Sequence, residues 1–157
     1  ETYFNDQKEF VGYLSPEIKK KLIIKLYPKF RYKYLKERSR WLEFDSNLTI
    51  ESNNVNMDSL IKNSRLIVHA YDSTGILENL SQNIPTLAFW QNGFDHLRKK
   101  IKPDYQILVN AGIVHLSAKS ASKKVCEIWK NVDGWWHQKH VQDARKNFCE
   151  KYAKNCD

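Results

Sequence analysis

RLIVHAYDSTGILENLSQNIPTLAFW, residues 65–90, is the stretch on which the fold of this chain turns. Leu66-Ile67-Val68 and Leu87-Ala88-Phe89-Trp90 are short, unbroken apolar runs, the pattern of strands covered on both faces. Between them Asp72-Ser73-Thr74-Gly75 turns the chain, and Ile76, Leu77 and Leu80 recur at helical spacing. Asn83-Ile84-Pro85 then stops the helix. Two strands joined by a helix of this length make a βαβ unit, because parallel strands need such a crossover.

The same alternation extends in both directions. Toward the N-terminus, Leu22 to Tyr27 reads as a buried strand stopped by Pro28, and a short helix is expected around Tyr34 to Trp41. Leu48 to Glu51 follows as a second strand, and Asn56 caps a helix through Met57, Leu60 and Ile61. Ahead of these lie a helix from Tyr3 to Leu14 and a short one with Ser15 as its cap and Pro16 at its first position. Toward the C-terminus come a helix from Pro103 to Ala111, a strand at Ile113 to His115, and a long helix capped by Ser117 or Ser120. Trp135-Trp136 fall in a short turn-helix, and Val141 to Ala153 make the last helix. About five strands alternating with helices predict a single α/β domain over residues 1–157. Its core, 22–132, is a Rossmann-like parallel sheet with helices on both faces. A helical segment, 1–21, precedes that core and a helical C-terminal extension, 133–157, follows it. In such sheets ligands bind at the carboxyl ends of the strands, which directs attention to the loops after Tyr27, Ala70 and Trp90.

With 157 residues, 41% of them hydrophobic, the chain has enough apolar material for one packed domain. Glu1 stands first, without an initiator Met, so a piece of a longer polypeptide is expected, although a trimmed terminus would look the same. No apolar run approaches the roughly 18 residues of a membrane span, and no signal-like opening is present. Cys126, Cys149 and Cys156 lack metal-type spacing and read as reduced thiols of a cytoplasmic protein. The net charge of +8 is concentrated early, in Lys19-Lys20-Lys21, Lys25, Lys29, Arg31, Lys33, Lys36, Arg38 and Arg40. Nucleic acid, an anionic membrane face and a phosphorylated small molecule all fit that charge, and solvated helix faces explain any single lysine. Tyr27, Phe30, Tyr32 and Tyr34 are interleaved with it, but no nucleic-acid-binding signature accompanies them, which ranks nucleic acid last.

The residues able to carry chemistry cluster on the same central stretch. Ser73 and Thr74 sit where an N-cap hydroxyl belongs, and Gly75 allows close approach to the backbone. The unpaired N–H groups and positive dipole end of the following helix favour a phosphate there, although Ser and Thr cap helices without any ligand. Glu78, one turn on, is placed to accept from ribose or sugar hydroxyls, or simply to sit well in the helix's first turns. Asp72 fits an acid beside the cradle or an Asx turn. Lys25 and Arg31 flank Tyr27-Pro28 and could neutralise phosphate. His69, inside an apolar strand, reads first as a satisfied core histidine and second as a donor to the site. No metal motif is present, so no cofactor is expected.

Ser64 to Val68, Tyr71 to Glu78 and Asn83 to Trp90 resemble the surface-carbohydrate transferases of bacterial O-antigen loci, of the Leptospira type. The likeness continues through Ala111 to His115, Ser120-Ala121, Ile128-Trp129, Trp135-Trp136, Val141-Gln142, Ala144-Arg145 and Phe148-Cys149, and reaches back to Leu26-Tyr27-Pro28. It implies the C-terminal, nucleotide-binding half of a GT-B glycosyltransferase. The expected donor is a nucleotide-sugar and the acceptor a lipid-linked or surface glycan. An N-terminal domain would carry the catalytic base or nucleophile, at the cytoplasmic membrane face with peripheral membrane contact. More distantly, the two loops resemble those of bacterial sialyltransferases and capsule Kdo transferases, which hold a CMP-sugar with a His-Pro turn and a Ser-Ser/Thr turn. Ser73 and Thr74 match the second turn. Tyr27 stands where the histidine would be, and a phenol can hydrogen-bond phosphate but is not a cationic acid near neutral pH. CMP-, UDP-, GDP- and dTDP-sugars therefore all stay open. So do an epimerase or glycerophosphotransferase built on GT-B halves, and a non-catalytic domain that binds acidic glycan or membrane.

Overall fold

The computed structural model describes residues 2–26, 30–51, 55–71 and 74–153. Helices and parallel strands alternate along the chain. They are α1 (Thr2–Tyr13), α2 (Pro16–Lys19), β1 (Ile23–Lys25), α3 (Arg31–Phe44), β2 (Thr49–Glu51), α4 (Met57–Lys62), β3 (Ile67–His69) and α5 (Thr74–Ser81). Then come β4 (Thr86–Phe89), α6 (Lys102–Asn110), β5 (Val114–His115), α7 (Ala118–Ile128), a 3-10 turn (Trp129–Asn131), α8 (Val132–Trp136) and α9 (Lys139–Tyr152). The chain divides into two compact units, one of Glu1–Tyr13 with Arg65–Asp157 and one of Leu14–Ser64. The described strands form two small parallel sheets, β1-β2 and β3-β4-β5, rather than the continuous sheet expected from the alternation.

The larger unit is organised by β4. Thr86, Leu87 and Ala88 are 0% exposed and Phe89 only 1%, so this strand is covered on both faces. Its side chains alternate accordingly. Ala88 and Trp90 join a core with Ile76 and Leu80 of α5, Leu108 of α6 and Phe148 of α9. Phe89 points the other way and stacks on Phe10 of α1, ring centroids 4.8 Å apart, while α1 in turn packs on α7. Register follows from the pairs Ile67 with Thr86 and Ala88 with Val114. β3, an edge strand, is only half-buried, less than its apolar run predicts. Trp135 and Trp136 fall in the short helix α8, as expected, and pack in the core.

One end of α5 is locked in place. Arg145 of α9 is buried, and its guanidinium donates to the Leu80 carbonyl at 2.9 Å, in the last turn of α5. Asn83 takes the left-handed conformation just beyond it, φ 58°, and its side-chain oxygen accepts from Trp136 Nε1 at 2.9 Å. Gln142 adds a second donor to that oxygen at 3.2 Å. The backbone closes the same end, with the Gln82, Ile84 and Asn83 N–H groups donating to the Glu78, Asn79 and Leu80 carbonyls, so the side chains of α8 and α9 add to a helix end that is already capped.

In the smaller unit β1 and β2 pair Ile23 with Thr49 and Lys25 with Glu51. Among the described residues each of these strands pairs with the other alone, and Ile23 is 44% exposed, so β1 is not the buried strand its sequence suggests. Trp41, Ile18 and Leu48 are buried. α3 runs 14 residues, beyond the expected Tyr34 to Trp41. Ser15 and Asn56 cap α2 and α4 as predicted. Among the described residues no helix is long and apolar enough to cross a membrane.

Two measurements test this packing. Asn83→Ala removes the acceptor and puts a residue less tolerant of the left-handed conformation in the turn, whereas Asn83→Gly removes the acceptor and relieves the turn. Urea midpoints are expected to fall for both, with Ala the worse by about 1 kcal/mol. The second concerns His69, whose ring Nε2 lies 2.8 Å from Asn79 Nδ2 and whose pKa burial pushes down from 6.5 to about 4. The folded state thus refuses a proton that the unfolded chain accepts. Stability present above pH 6.5 is lost as pH falls toward 4, by up to about 3 kcal/mol. His69→Gln is expected to flatten that part of a pH–stability curve, leaving the smaller slope of His115, which burial also holds down.

Candidate functional site

The carboxyl ends of β3, β4 and β5 form one edge of the larger unit, and the loops leaving it carry the groups of interest. After His69 the chain passes through Ala70 and Tyr71 and enters α5 at Thr74, which is exposed. Ile76 and Leu80 drive the opposite side of α5 into the core. That burial leaves Thr74 and Glu78, four residues apart, on the solvent side, and both are exposed. Gly75 is half-buried on the side of Asn79, the residue that meets His69. An exposed hydroxyl, a glycine and the first N–H groups of an eight-residue helix therefore lie together at the end of a parallel strand. Asp72 and Ser73, expected to complete this turn, lie outside the described residues, as do Tyr27 and Pro28.

His69 is held by Asn79 and, with its pKa near 4, is neutral at physiological pH. Its Nε2 accepts from Asn79 Nδ2, which leaves Nδ1–H as a donor, but the ring brings no positive charge to a phosphate. His115 faces the other side of the sheet. Its Nε2–H donates to the Gly112 carbonyl at 2.8 Å, so Nδ1 accepts from the Ser120 hydroxyl at 2.7 Å.

Lys25 and Arg31 belong to the smaller unit. Lys25 ends β1 opposite Glu51. Burial lowers its pKa, and the Glu51 carboxylate partly offsets that effect. A lysine within an apolar run thus has a carboxylate as its strand neighbour. Arg31 opens α3 and is exposed.

One group at the strand ends has no clear sequence signal. Asp6 of α1 is only 4% exposed and accepts from Gln91 Nε2 at 2.8 Å, just past β4. In sequence Asp6 reads as an ordinary polar residue of an amphipathic helix, and only the tertiary pairing across 85 positions brings it to this edge. Two surface hollows of about 240 and 430 Å³ lie elsewhere, along α9. The first is lined by Asp104, Ile107 and Phe148, and there Lys151 and Tyr152 hydrogen-bond the Asp104 carboxylate and hold it below the usual carboxylate range. The second is lined by Gln82, Asn83 and Arg145, the groups that lock α5. Neither hollow includes Thr74, Gly75 or Glu78. Among the described residues no group of three His, Cys, Asp or Glu side chains could hold a metal ion.

No curated protein and no solved structure matches the chain. The model of one protein family does, that of the LIC12162 family transferases, and it spans residues 1–157. On that full-length match the chain belongs to the LIC12162 family of transferases.

Proposed function

We propose that the chain is the donor-binding part of a glycosyltransferase of bacterial surface-polysaccharide synthesis, with the donor's phosphate seated at the start of α5. The observation that carries this reading is the β3–α5 junction in a transferase family: exposed Thr74 and half-buried Gly75 open the helix that follows a parallel strand. A helix N-terminus binds anions through its unpaired N–H groups and its dipole. During transfer, negative charge grows on the leaving phosphate, and donors fixed beforehand stabilise it more than they stabilise the bound substrate. The locked C-terminal end of α5 supplies that fixity.

In this reading Thr74 and Ser73 donate hydroxyl hydrogen bonds to phosphate oxygens, and the amides beyond Gly75 complete the cradle. Glu78, exposed one turn along the same side, accepts from ribose or sugar hydroxyls. The resemblance to the GT-B half, and to the enzymes that use CMP-sugars, makes cytidine the first nucleotide to try. The bond-making groups are assigned to a partner domain, so the chain by itself binds nucleotide without transferring sugar.

Calorimetry of the chain with CMP, UDP and GDP tests this. One of the three is expected to bind, and Thr74→Ala or Ser73→Ala to weaken it roughly ten- to a hundredfold, the worth of a hydrogen bond to a charged group. Glu78→Gln is expected to weaken the nucleotide-sugar more than inorganic phosphate. Binding that ignores both hydroxyl substitutions, or no binding of any of the three, would remove the α5 site from consideration.

A further inference from the structure

The charge of this chain is not evenly spread. It carries 26 Lys and Arg against 18 Asp and Glu. Between Lys19 and Arg40 stand 10 of the basic residues and a single acid, Glu37, a net of +9. The other residues hold 16 basic and 17 acidic, a net of −1, so the whole excess lies in one segment of the smaller unit.

Helix α3 arranges part of that segment into two sides. Trp41, 2% exposed, and half-buried Tyr34, seven residues earlier, mark the side turned inward. On the outward side Tyr32 is 66% exposed and Leu35 46%, with Phe30, 50% exposed, at the helix start. Phe30 and Tyr32 stack on each other, centroids 5.8 Å apart and planes within 9°. Tyr32, Leu35 and Lys36 follow at spacings of three and four, hence on one side. Arg31 and Lys33 flank them, and Arg31, Lys33 and Lys36 are all exposed. Three large apolar side chains gathered on an exposed helix and ringed by cations are a contact surface, since a scattered apolar residue would need no such company.

We propose that this side of α3 docks the protein on an anionic lipid surface. Phe30, Tyr32 and Leu35 enter the headgroup layer, while Arg31, Lys33 and Lys36 meet lipid phosphates. Aromatic rings with one apolar and one polar end favour that layer. Basic residues near it contribute about 1 kcal/mol each, and the remaining lysines of the segment add longer-range attraction. Single-stranded nucleic acid fits less well. Its binders stack bases on aromatic faces along a groove, whereas here the rings stack on each other and aliphatic Leu35 offers no π-face. The proposal does not depend on the donor site at α5.

Flotation of the chain with phosphatidylcholine vesicles, with and without phosphatidylglycerol, tests it at about 0.1 M and about 0.5 M salt. The chain is expected to float only with the anionic vesicles and to detach at high salt. Arg31→Glu/Lys33→Glu/Lys36→Glu is expected to weaken partition on the order of a hundredfold. Phe30→Ser/Tyr32→Ser/Leu35→Ser is expected to weaken it at least about tenfold. Circular dichroism checks that both variants keep their helix content. If either loses it, the comparison of neutral with anionic vesicles and the salt series on the unaltered chain decide. A chain that stays below anionic vesicles at low salt, or a charge-reversed variant that still floats, overturns the proposal. So does an RNA oligonucleotide that displaces the chain from vesicles at matched phosphate concentration, which would make the surface a nucleic-acid site.

Discussion

The buried guanidinium of Arg145 on the Leu80 carbonyl, with the Trp136 indole on Asn83 beside it, is the constraint on which the candidate site depends. An eight-residue helix is too short to hold itself in water. It persists because Ile76 and Leu80 sink into the core and because α8 and α9 pin its end. Pinning the C-terminal end fixes the direction of the axis, and with it where the N-terminal N–H groups aim. A charge buried for such a purpose needs hydrogen bonds in compensation, and Arg145 donates them to the Leu80 carbonyl and to Gln142 Oε1 at 3.1 Å. Its apolar neighbours, among them Ala144 and Phe148, make α9 as much a part of the site's support as α5 is part of its surface.

β4 works at the next level. A strand buried at every position must have a helix layer on each side, and its alternating side chains divide the labour between them. Ala88 and Trp90 face α5, α6 and α9, while Phe89 faces α1. The two strand histidines follow the same division. His69 pairs in register with Ala88 and meets Asn79 on α5, whereas His115 pairs with Phe89 and meets Ser120 on α7. Both are uncharged parts of the packing, and the strand ends offer an anion neutral donors.

Much of this was legible in residues 65–90, where run length, turn chemistry and helical spacing agree on strand, helix and strand. The caps at Ser15 and Asn56 and the stop at Asn83 were legible too, because each rests on local hydrogen bonding. What failed was non-local. Apolar runs at Leu22 to Tyr27 and Leu66 to Ala70, interrupted only by Lys25 and His69, predict cover on both faces, but cover depends on neighbours that a run cannot name, and β1 and β3 are only partly buried. α3 outran its prediction because Lys, Arg and Glu lengthen a helix without adding apolar periodicity. Ser117 and Ser120 looked equivalent as caps. The structure gives Ser117 to the helix start and Ser120 to His115. Of the site, Thr74, Gly75 and Glu78 were visible as a turn followed by an apolar stripe. The Asp6–Gln91 pair was not, since nothing in a short amphipathic helix foretells a partner 85 residues away.

The distribution of charge bears on how an anion can be held at all. Outside Lys19 to Arg40 the chain is close to neutral, with 16 basic and 17 acidic residues. No described residue of the α5 junction is cationic: Thr74 and Gly75 are neutral, Glu78 is acidic and His69 keeps its proton off above a pH of about 4. Attraction there must come from oriented N–H groups and hydroxyls, which act within a turn of the helix and demand close fit. The basic segment has the opposite character. Its field reaches over about a Debye length and discriminates little between one phosphate and another. The proposed donor site at α5 and the proposed lipid-facing side of α3 therefore suit different anions. The first suits a single nucleotide phosphate that must be recognised, and the second a surface of many phosphates that need only be approached.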